Sequence, residues 1–390
     1  MAKRNRADPV FRHSLNIFRS VPSDAKRDIE VSTSDSVTVR SHEADRKNIA
    51  TTESSWPTAK ALQAELTPWK NKAAYVVPIA DESGKPLGNN GDELLMRIFW
   101  RILDQAGIRT VDDIRKAEVL LVPPSGSLLQ MYAFPDLMQK STSENMEAPM
   151  VIFPSSANFP TRDPEFLFRG RTSKTTWILR EKYSYDHLRK AWGDSLASVG
   201  CELILDHDVV ASHSEVVRDI FKSVKSGCPL VGARKDVEQN SVSNKLNQPL
   251  ASGAFGIARS AAFRQISTRV PYGPVYTRLA RAVRAKKQKE AGAALISQMP
   301  EMSREPFLGR GVLHRDISSK HQATFDEYLE VIAGAGPVLT DRLHIALPAA
   351  ILGKDVWLVE GGYHKARGVV EQSLQFVDNL RLLSSPVGRE

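Results

Sequence analysis

The sequence predicts an α/β fold of two successive units, each a parallel sheet covered by helices, with a cleft between them. From about residue 70 onward, short apolar runs alternate with amphipathic stretches, as strands alternate with helices. The length of 390 residues exceeds that of a typical single domain. The apolar runs also fall into two series, so we predict an N-terminal α/β domain at residues 69–228 and a C-terminal one at 229–390.

Each predicted strand is a short apolar run. The runs lie at residues 74–79, 119–122, 151–153, 177–179 and 203–205 in the first series, and at 230–233, 311–313, 338–339 and 356–359 in the second. Residues 93–105 predict a helix between the first two runs, because Gly107 stands just past its end.

Residues 1–68 form a polar extension that we expect to be mobile or loosely docked, since they are rich in Ser, Thr, Asp, Arg and Lys. Phe11, Leu15, Ile17 and Phe18 are the apolar residues from which a short docking helix would form.

Composition limits the class of protein. Two cysteines argue against a disulfide framework, and neither a spanning apolar run nor a secretory signal occurs, so we expect a cytoplasmic protein. A net charge of +8 favours anionic partners. Nucleic acid is not expected, because no basic strand interleaved with aromatics appears. The basic run at residues 278–289 is either a solvated helix or a peripheral contact with the inner face of a membrane.

The motif with the most charged and titratable side chains is the strand-to-helix junction at residues 336–344. Asp341, Arg342 and His344 follow the apolar run, and an almost wholly apolar helix is predicted at 345–352. Ligands of parallel α/β sheets gather at such carboxyl ends, where helix N-termini attract anions. The alternative is that Asp341 caps the helix and Arg342 merely pairs with it.

A second loop, residues 88–92, combines two glycines with Asn90 and Asp92 before a helix. We expect this loop to face a ligand, although Asp92 is equally suited to an N-cap. The loop matches neither the Walker pattern nor the Rossmann fingerprint, which disfavours ATP and NAD.

Arg180 also stands at the end of a predicted strand, with Lys182 after it and a helix at residues 185–192 that Ser184 would cap. Arg180 either pairs with Glu181 on the surface or forms a clamp with Arg342, since two guanidinium forks suit carboxylate and phosphate.

Two further segments contain titratable side chains. His364 and Lys365 follow the run at 356–359 and are either site residues or ordinary loop residues. Residues 206–208, Asp-His-Asp, are expected to form turns and caps, because adjacent side chains diverge too much to share a metal. We therefore predict no metal site. Residues 155 and 156 are serines without a local base, so a serine nucleophile is not indicated.

The motifs occur in an order that resembles the polysaccharide pyruvyl transferases of bacterial exopolysaccharide synthesis. The resemblance covers about residues 72–380, and its most specific part is Thr-Asp-Arg-Leu-His at 340–344 with the later His-Lys at 364–365. It rests further on residues 88–92, 153–156, 180–184 and 206–208. The chain departs from the family at 123–127, where it has Pro-Pro-Ser-Gly-Ser and many relatives have a glycine-rich stretch; Ser125 and Gly126 would still line the cleft.

The resemblance implies a fold similar to GT-B glycosyltransferases, with two Rossmann-like domains facing across the cleft. It implies transfer of pyruvate from phosphoenolpyruvate to two hydroxyls of a hexose, which gives a cyclic ketal; the acceptor would be carried on a lipid-linked oligosaccharide. Arg180 and Arg342 would bind the donor, with Lys182, Asn90, Asp92, Ser125, Gly126, Ser155, His364 and Lys365 around the substrates and Asp341 and His344 at the reacting centre.

This scheme needs no metal or redox cofactor. A histidine suits it, because its pKa near neutrality lets it protonate the methylene carbon of the donor. Two alternatives stay open: a sugar-nucleotide-dependent glycosyltransferase of the same shape, since fold does not determine function, and a non-catalytic basic protein that binds an anionic polymer or membrane.

Overall fold

The structure is a computed structural model that describes residues 56–81, 87–221, 227–234, 274–361 and 364–384. For residues 274–282 and 284 it describes the backbone alone. The predicted docking helix around Phe11 lies outside these residues, and in the basic run at 278–289 the side chains of the three arginines, at 278, 281 and 284, are not described.

The first half of the chain forms a sheet of six parallel strands in the order β2-β1-β3-β5-β7-β8. Its strands are β1 (Ala73–Val76), β2 (Arg109–Thr110), β3 (Val119–Val122), β5 (Met150–Ser155), β7 (Thr175–Leu179) and β8 (Cys201–Leu205). A separate parallel pair consists of β4 (Leu128–Leu129) and β6 (Ala157–Asn158). The central strands β3, β5 and β7 are buried along their whole length, because helices cover both faces.

The helices of this half are α1 (Lys60–Leu66), α2 (Asn90–Ala106), α3 (Phe134–Thr142), α4 (Lys182–Ser198), α5 (Val209–Ser212) and α6 (Ser214–Ile220), with 3₁₀ turns at Thr67–Trp69, Ile114–Lys116 and Pro164–Leu167. α2 begins with a capping box, in which Asn89 accepts from the backbone and Asp92 accepts from the amide of Asn89. It ends at Gly107, whose left-handed φ of 66° terminates the helix.

The second half forms a sheet of five parallel strands in the order β10-β9-β11-β12-β13. These strands are β9 (Cys228–Gly232), β10 (Leu313–His314), β11 (Ala335–Thr340), β12 (Val356–Val359) and β13 (Leu380–Leu383). The helices are α7 (Pro274–Ser297), α8 (Glu305–Leu308), α9 (Phe325–Gly334), α10 (Leu343–Ile351) and α11 (Lys365–Ser373), with a 3₁₀ turn at Glu301–Ser303. The structure thus confirms a mixed α/β protein built on parallel sheets.

Helix α10 joins the cores of the two halves. It is apolar on all sides, and Ile345, Ala346, Leu347 and Ala349 are completely buried. It packs against β11 and β12 of its own sheet and also against α2, α5 and α6 of the first half. One continuous apolar cluster therefore extends from Leu94 and Phe99 of α2 through α10 to β12. This arrangement holds the carboxyl ends of strands from both sheets beside a common cavity.

Some predicted boundaries are wrong. The polar extension predicted to reach residue 68 ends earlier, because Leu62 and Leu66 of α1 are buried and the Leu62 amide donates to Asp206 at 2.7 Å. Helix α4 begins at Lys182 rather than at 185, and Glu181, not Ser184, caps it by accepting from the amide of Ser184 at 2.8 Å. Within the described ranges, every helix is too short or too polar to cross a membrane.

Candidate active site

A cavity of about 440 Å³ lies at the carboxyl ends of strands from both sheets. The segments that follow β1, β3, β9, β11 and β12 form its wall, together with the N-termini of α2, α10 and α11. Free amides and the positive ends of helix dipoles therefore point toward this space, which favours an anion. Of the predicted site residues, the wall contains Asp92, Ser125, Gly126, Asp341, Arg342, His344 and Lys365.

His344 lies in the first turn of α10, with its side chain 11% exposed. Its Nε2 is 3.5 Å from Nη1 of Arg180 and 3.6 Å from Oδ2 of Asp208. Gly91 makes room for the side chain, since a Cβ at residue 91 would lie only 2.8 Å from the Cβ of His344. Burial lowers the pKa of His344, and the contact with Asp208 offsets this only in part. Burial therefore favours the neutral imidazole at pH 7.

Arg180 is completely buried beside the cavity. Its Nε donates to Oγ of Ser156 at 2.9 Å, and its Nη1 donates to Oδ2 of Asp208 at 2.7 Å. The third nitrogen, Nη2, is buried and has no hydrogen-bond partner among the described residues. Because an unsatisfied buried donor is costly, this nitrogen is a candidate partner for a ligand acceptor.

Gly126 on the cavity wall faces this unsatisfied nitrogen. A Cβ at residue 126 would lie 3.1 Å from Nη2 of Arg180 and would overlap Nζ of Lys365. Two cationic nitrogens thus approach the same face of one glycine, where no side chain blocks them. A guanidinium and an ammonium placed in this way form a compact site for an oxyanion.

Asp208 sets the charge balance around Arg180. Burial alone would raise the pKa of Asp208, but the Arg180 guanidinium and the contact with His344 outweigh it and hold the pKa well below its usual range. The carboxylate is therefore ionised, and it also caps α5 by accepting from the amide of Val210 at 2.9 Å. The predicted cap role of Asp208 is confirmed; its contacts with Arg180 and His344 were not predicted.

A second part of the cavity wall contains a network of alternating charges. Nη2 of Arg342 donates to Oδ2 of Asp316 at 2.6 Å and its Nε donates to Oδ1 at 3.3 Å, with both side chains almost fully buried. Asp341 accepts from the amide of Arg234 at 2.8 Å, and no side chain among the described residues caps the N-terminus of α10, so the predicted cap role of Asp341 is wrong. Burial raises the pKa of Asp341 to about 6. This wall is close to neutral at pH 7.

Five predicted substrate-binding residues do not line the cavity: Arg180, which lies behind the wall at Gly126, and Asn90, Ser155, Lys182 and His364. Asn90 is 1% exposed, and its amide donates to the carbonyls of Ile317 at 2.8 Å and Ala323 at 3.0 Å, which fastens α2 to the segment before α9. Ser155 is also buried and accepts from the indole of Trp177 at 2.9 Å. Both predictions are wrong for the same reason, since the polar groups satisfy the fold internally.

Lys182 and His364 lie outside the wall for other reasons. The side chain of Lys182 is 67% exposed and pairs with Asp186 one turn along α4. His364 stacks on Tyr183, with ring centroids 5.0 Å apart, and so helps to join α11 to α4. Burial lowers the pKa of His364, and the charge of His187 lowers it further.

The residues that sequence analysis missed are mostly acidic partners and neighbours of the predicted cations. Asp316 and Asp208 neutralise Arg342 and Arg180, and Ser156 orients the latter. A helix-cap signal marked Asp208, but nothing in the local sequence links it to residues 180 and 344. The described residues contain no group of three or more metal-ligating side chains.

The comparisons with known proteins give no family. Neither a family model nor a curated protein matches the chain. A solved structure of a functionally uncharacterized protein from Klebsiella pneumoniae subsp. pneumoniae NTUH-K2044 is similar over 83% of this chain and 96% of its own, at 14% identity and a TM-score of 0.48.

Proposed function

We propose that this chain transfers a pyruvyl group from phosphoenolpyruvate to a hexose of an exopolysaccharide repeat unit, forming a cyclic pyruvate ketal. One observation carries the proposal: a buried guanidinium with an unsatisfied nitrogen lies 3.5 Å from a buried imidazole, beside a cavity at strand carboxyl ends. That pair supplies what the donor requires, which is an anion ligand next to a proton carrier. The resemblance of residues 340–344 and 364–365 to the pyruvyl transferases names the donor.

The phosphate and the carboxylate of phosphoenolpyruvate differ in charge, so we assign them to different cations of the site. Its phosphate carries most of the charge, so we place it at Gly126, against Nη2 of Arg180 and Nζ of Lys365, where the two cations outnumber the one carboxylate of Asp208. The carboxylate lies toward Arg342, whose charge Asp316 already balances. Arg342 therefore orients the donor more than it attracts it.

His344 is the proton carrier in this proposal. Burial lowers its pKa and so favours the neutral imidazole before the donor binds. A bound multivalent anion next to the imidazole favours the protonated form, so donor binding itself charges His344. The acid is thus formed only when the donor is present, which fits a group that must deliver one proton to carbon.

The proposed reaction balances with the groups named. Protonated His344 gives its proton to the methylene carbon of the donor, and a sugar hydroxyl attacks the adjacent carbon and gives its own proton back to the imidazole. Phosphate then leaves from the tetrahedral carbon, a second hydroxyl of the same sugar closes the ketal, and its proton departs with the phosphate. One methyl group forms, two C–O bonds to sugar form, and one C–O bond to phosphate breaks.

The finer architecture belongs to the same proposal. Two parallel sheets with a cavity at the carboxyl ends of both are compatible with a GT-B-like arrangement of two Rossmann-like domains. We propose a lipid-linked oligosaccharide as acceptor, with the protein acting in the cytoplasm at the inner face of the membrane. Lys286, Lys287 and Lys289 of α7 are exposed and would contribute to such a contact.

Release of inorganic phosphate from phosphoenolpyruvate tests the function, measured with lipid-linked glycans from the host's own assembly pathway as acceptors. We expect release that depends on the acceptor, with NMR signals of a ketal methyl in the product. Arg180→Lys and His344→Gln should each lower the rate at least 100-fold, whereas Arg162→Ala, a matched change at an exposed arginine paired with Asp136, should not.

Two results would contradict the proposal. Acceptor-independent phosphate release would indicate a phosphatase. A thermal shift with UDP-sugars and none with phosphoenolpyruvate would favour the glycosyltransferase.

A further inference from the structure

The first turn of α10 contains a break in its hydrogen bonding. In an α-helix the carbonyl of residue 344 accepts from the amide of residue 348. Residue 348 is a proline inside this helix, and it has no amide hydrogen to donate. The carbonyl that loses its partner belongs to His344, the residue whose side chain faces Arg180.

Tyr328 supplies the missing donor from a neighbouring helix. Its hydroxyl donates a hydrogen bond to the carbonyl oxygen of His344. The tyrosine is completely buried, and burial raises its pKa, so the hydroxyl keeps its proton at any working pH. Stacking on Phe325, with ring centroids 5.7 Å apart, holds the ring in place on α9.

The surroundings of His344 are held together by Asn90. Gly91, the next residue, leaves room on α2 for the β-carbon of His344, and Tyr328 on α9 donates to the carbonyl of His344. Asn90 donates to the carbonyls of residues 317 and 323, just before α9. The two helices that touch His344 are therefore fastened to each other.

We infer that Tyr328 is a positioning residue for His344. The Tyr328 hydroxyl replaces the hydrogen bond that Pro348 cannot make. It so holds Nε2 of the His344 imidazole 3.6 Å from Asp208 and 3.5 Å from Arg180. Asp208 favours protonation of the imidazole, and Arg180 opposes it. If the imidazole moves, its distances to Asp208 and Arg180 change, and the pKa of His344 shifts. An effect of Tyr328 on catalysis rests on the proposed function. Its effect on the position of the His344 imidazole does not depend on that function.

The test combines Tyr328→Phe with Pro348→Ala, because alanine restores an amide hydrogen to the helix. In Tyr328→Phe we expect the NMR titration of the His344 imidazole, assigned with His344→Gln, to shift and broaden. Turnover should fall about 10-fold in kcat with KM for phosphoenolpyruvate within twofold, since Tyr328 does not contact the anion site. The double variant should regain the wild-type titration and most of kcat.

The outcomes separate the two ideas. An unchanged His344 titration in Tyr328→Phe, or a double variant no closer to wild type than the single one, would overturn the positioning role. A titration that shifts and is restored, in a protein that never releases phosphate from phosphoenolpyruvate, would keep the positioning role and reject the proposed function.

Discussion

Replacing Asp208 by asparagine should weaken the fold and strengthen anion binding at the same time. Asp208 and Arg180 are both 0% exposed and 2.7 Å apart, so the substitution leaves a buried guanidinium without its counter-charge. Breaking a buried pair in this way costs about 3–5 kcal/mol of the free energy of unfolding.

The gain in anion affinity follows from the same geometry. An anion on Nη2 of Arg180 would lie roughly 6 Å from the carboxylate of Asp208, where the repulsion is about 3 kcal/mol at an effective dielectric constant near 20. Removing that repulsion should tighten phosphate or phosphoenolpyruvate binding roughly 10- to 100-fold, allowing for partial screening. Turnover should nevertheless fall, because Asp208 no longer supports protonation of His344.

Calorimetric titration with phosphate measures the affinity, and thermal unfolding with and without phosphate measures the stability. We expect a larger stabilisation by phosphate in Asp208→Asn than in wild type. Asp206→Asn is the matched control: that carboxylate is also buried but accepts from the amides of Leu62 and His207, so its loss should weaken the fold without changing phosphate affinity. Unchanged or weaker phosphate binding in Asp208→Asn would refute the reasoning.

The remaining predictions concern other groups of the cavity. Gly126→Ala should weaken phosphate binding at least 10-fold in calorimetry with little change in thermal stability, since its methyl group displaces the flexible end of Lys365 and lies 3.1 Å from Nη2 of Arg180. Lys182→Ala should bind phosphoenolpyruvate like wild type, whereas Lys365→Ala should not. The pKa of Asp341 is raised from 3.8 to about 6, so the folded protein favours the protonated carboxyl and loses stability as the pH rises from about 4 to 6. In urea unfolding, Asp341→Asn should be more stable than wild type at pH 7 and equal to it near pH 4. Phosphoenolpyruvate binding at pH 7 should take up protons, seen in calorimetry with buffers of different ionisation enthalpy, and His344→Gln should reduce the uptake to the share of Asp341.

Much of the fold follows from local sequence. Strands β3 and β12 have the predicted limits, because a short apolar run leaves few alternatives inside a parallel sheet. The extent of α2 was harder to predict, since Asn89 rather than Asp92 is the residue that begins its capping box. Strand β13 was not predicted, because its sequence, Leu-Arg-Leu-Leu, also suits a helix.

The site was predictable only in part. Arg180, Arg342 and His344 follow strands in the sequence, and parallel strands bring their carboxyl ends together, so their proximity to one cavity follows from topology. Their partners do not follow, because Asp316 meets Arg342 and Tyr328 meets His344 through tertiary packing. Asn90 and Ser155, which stand beside motifs, hydrogen bond to a buried carbonyl and a buried indole instead of to a ligand. No local sequence pattern distinguishes a polar residue that binds a ligand from one that stabilises the fold.

A crystal structure of the complex with phosphoenolpyruvate would locate the donor relative to Arg180 and His344. We expect an oxygen of its phosphate at about 3 Å from Nη2 of Arg180, above Gly126, with the methylene carbon toward Nε2 of His344. A complex in which the donor binds elsewhere and leaves that nitrogen unsatisfied would contradict the account.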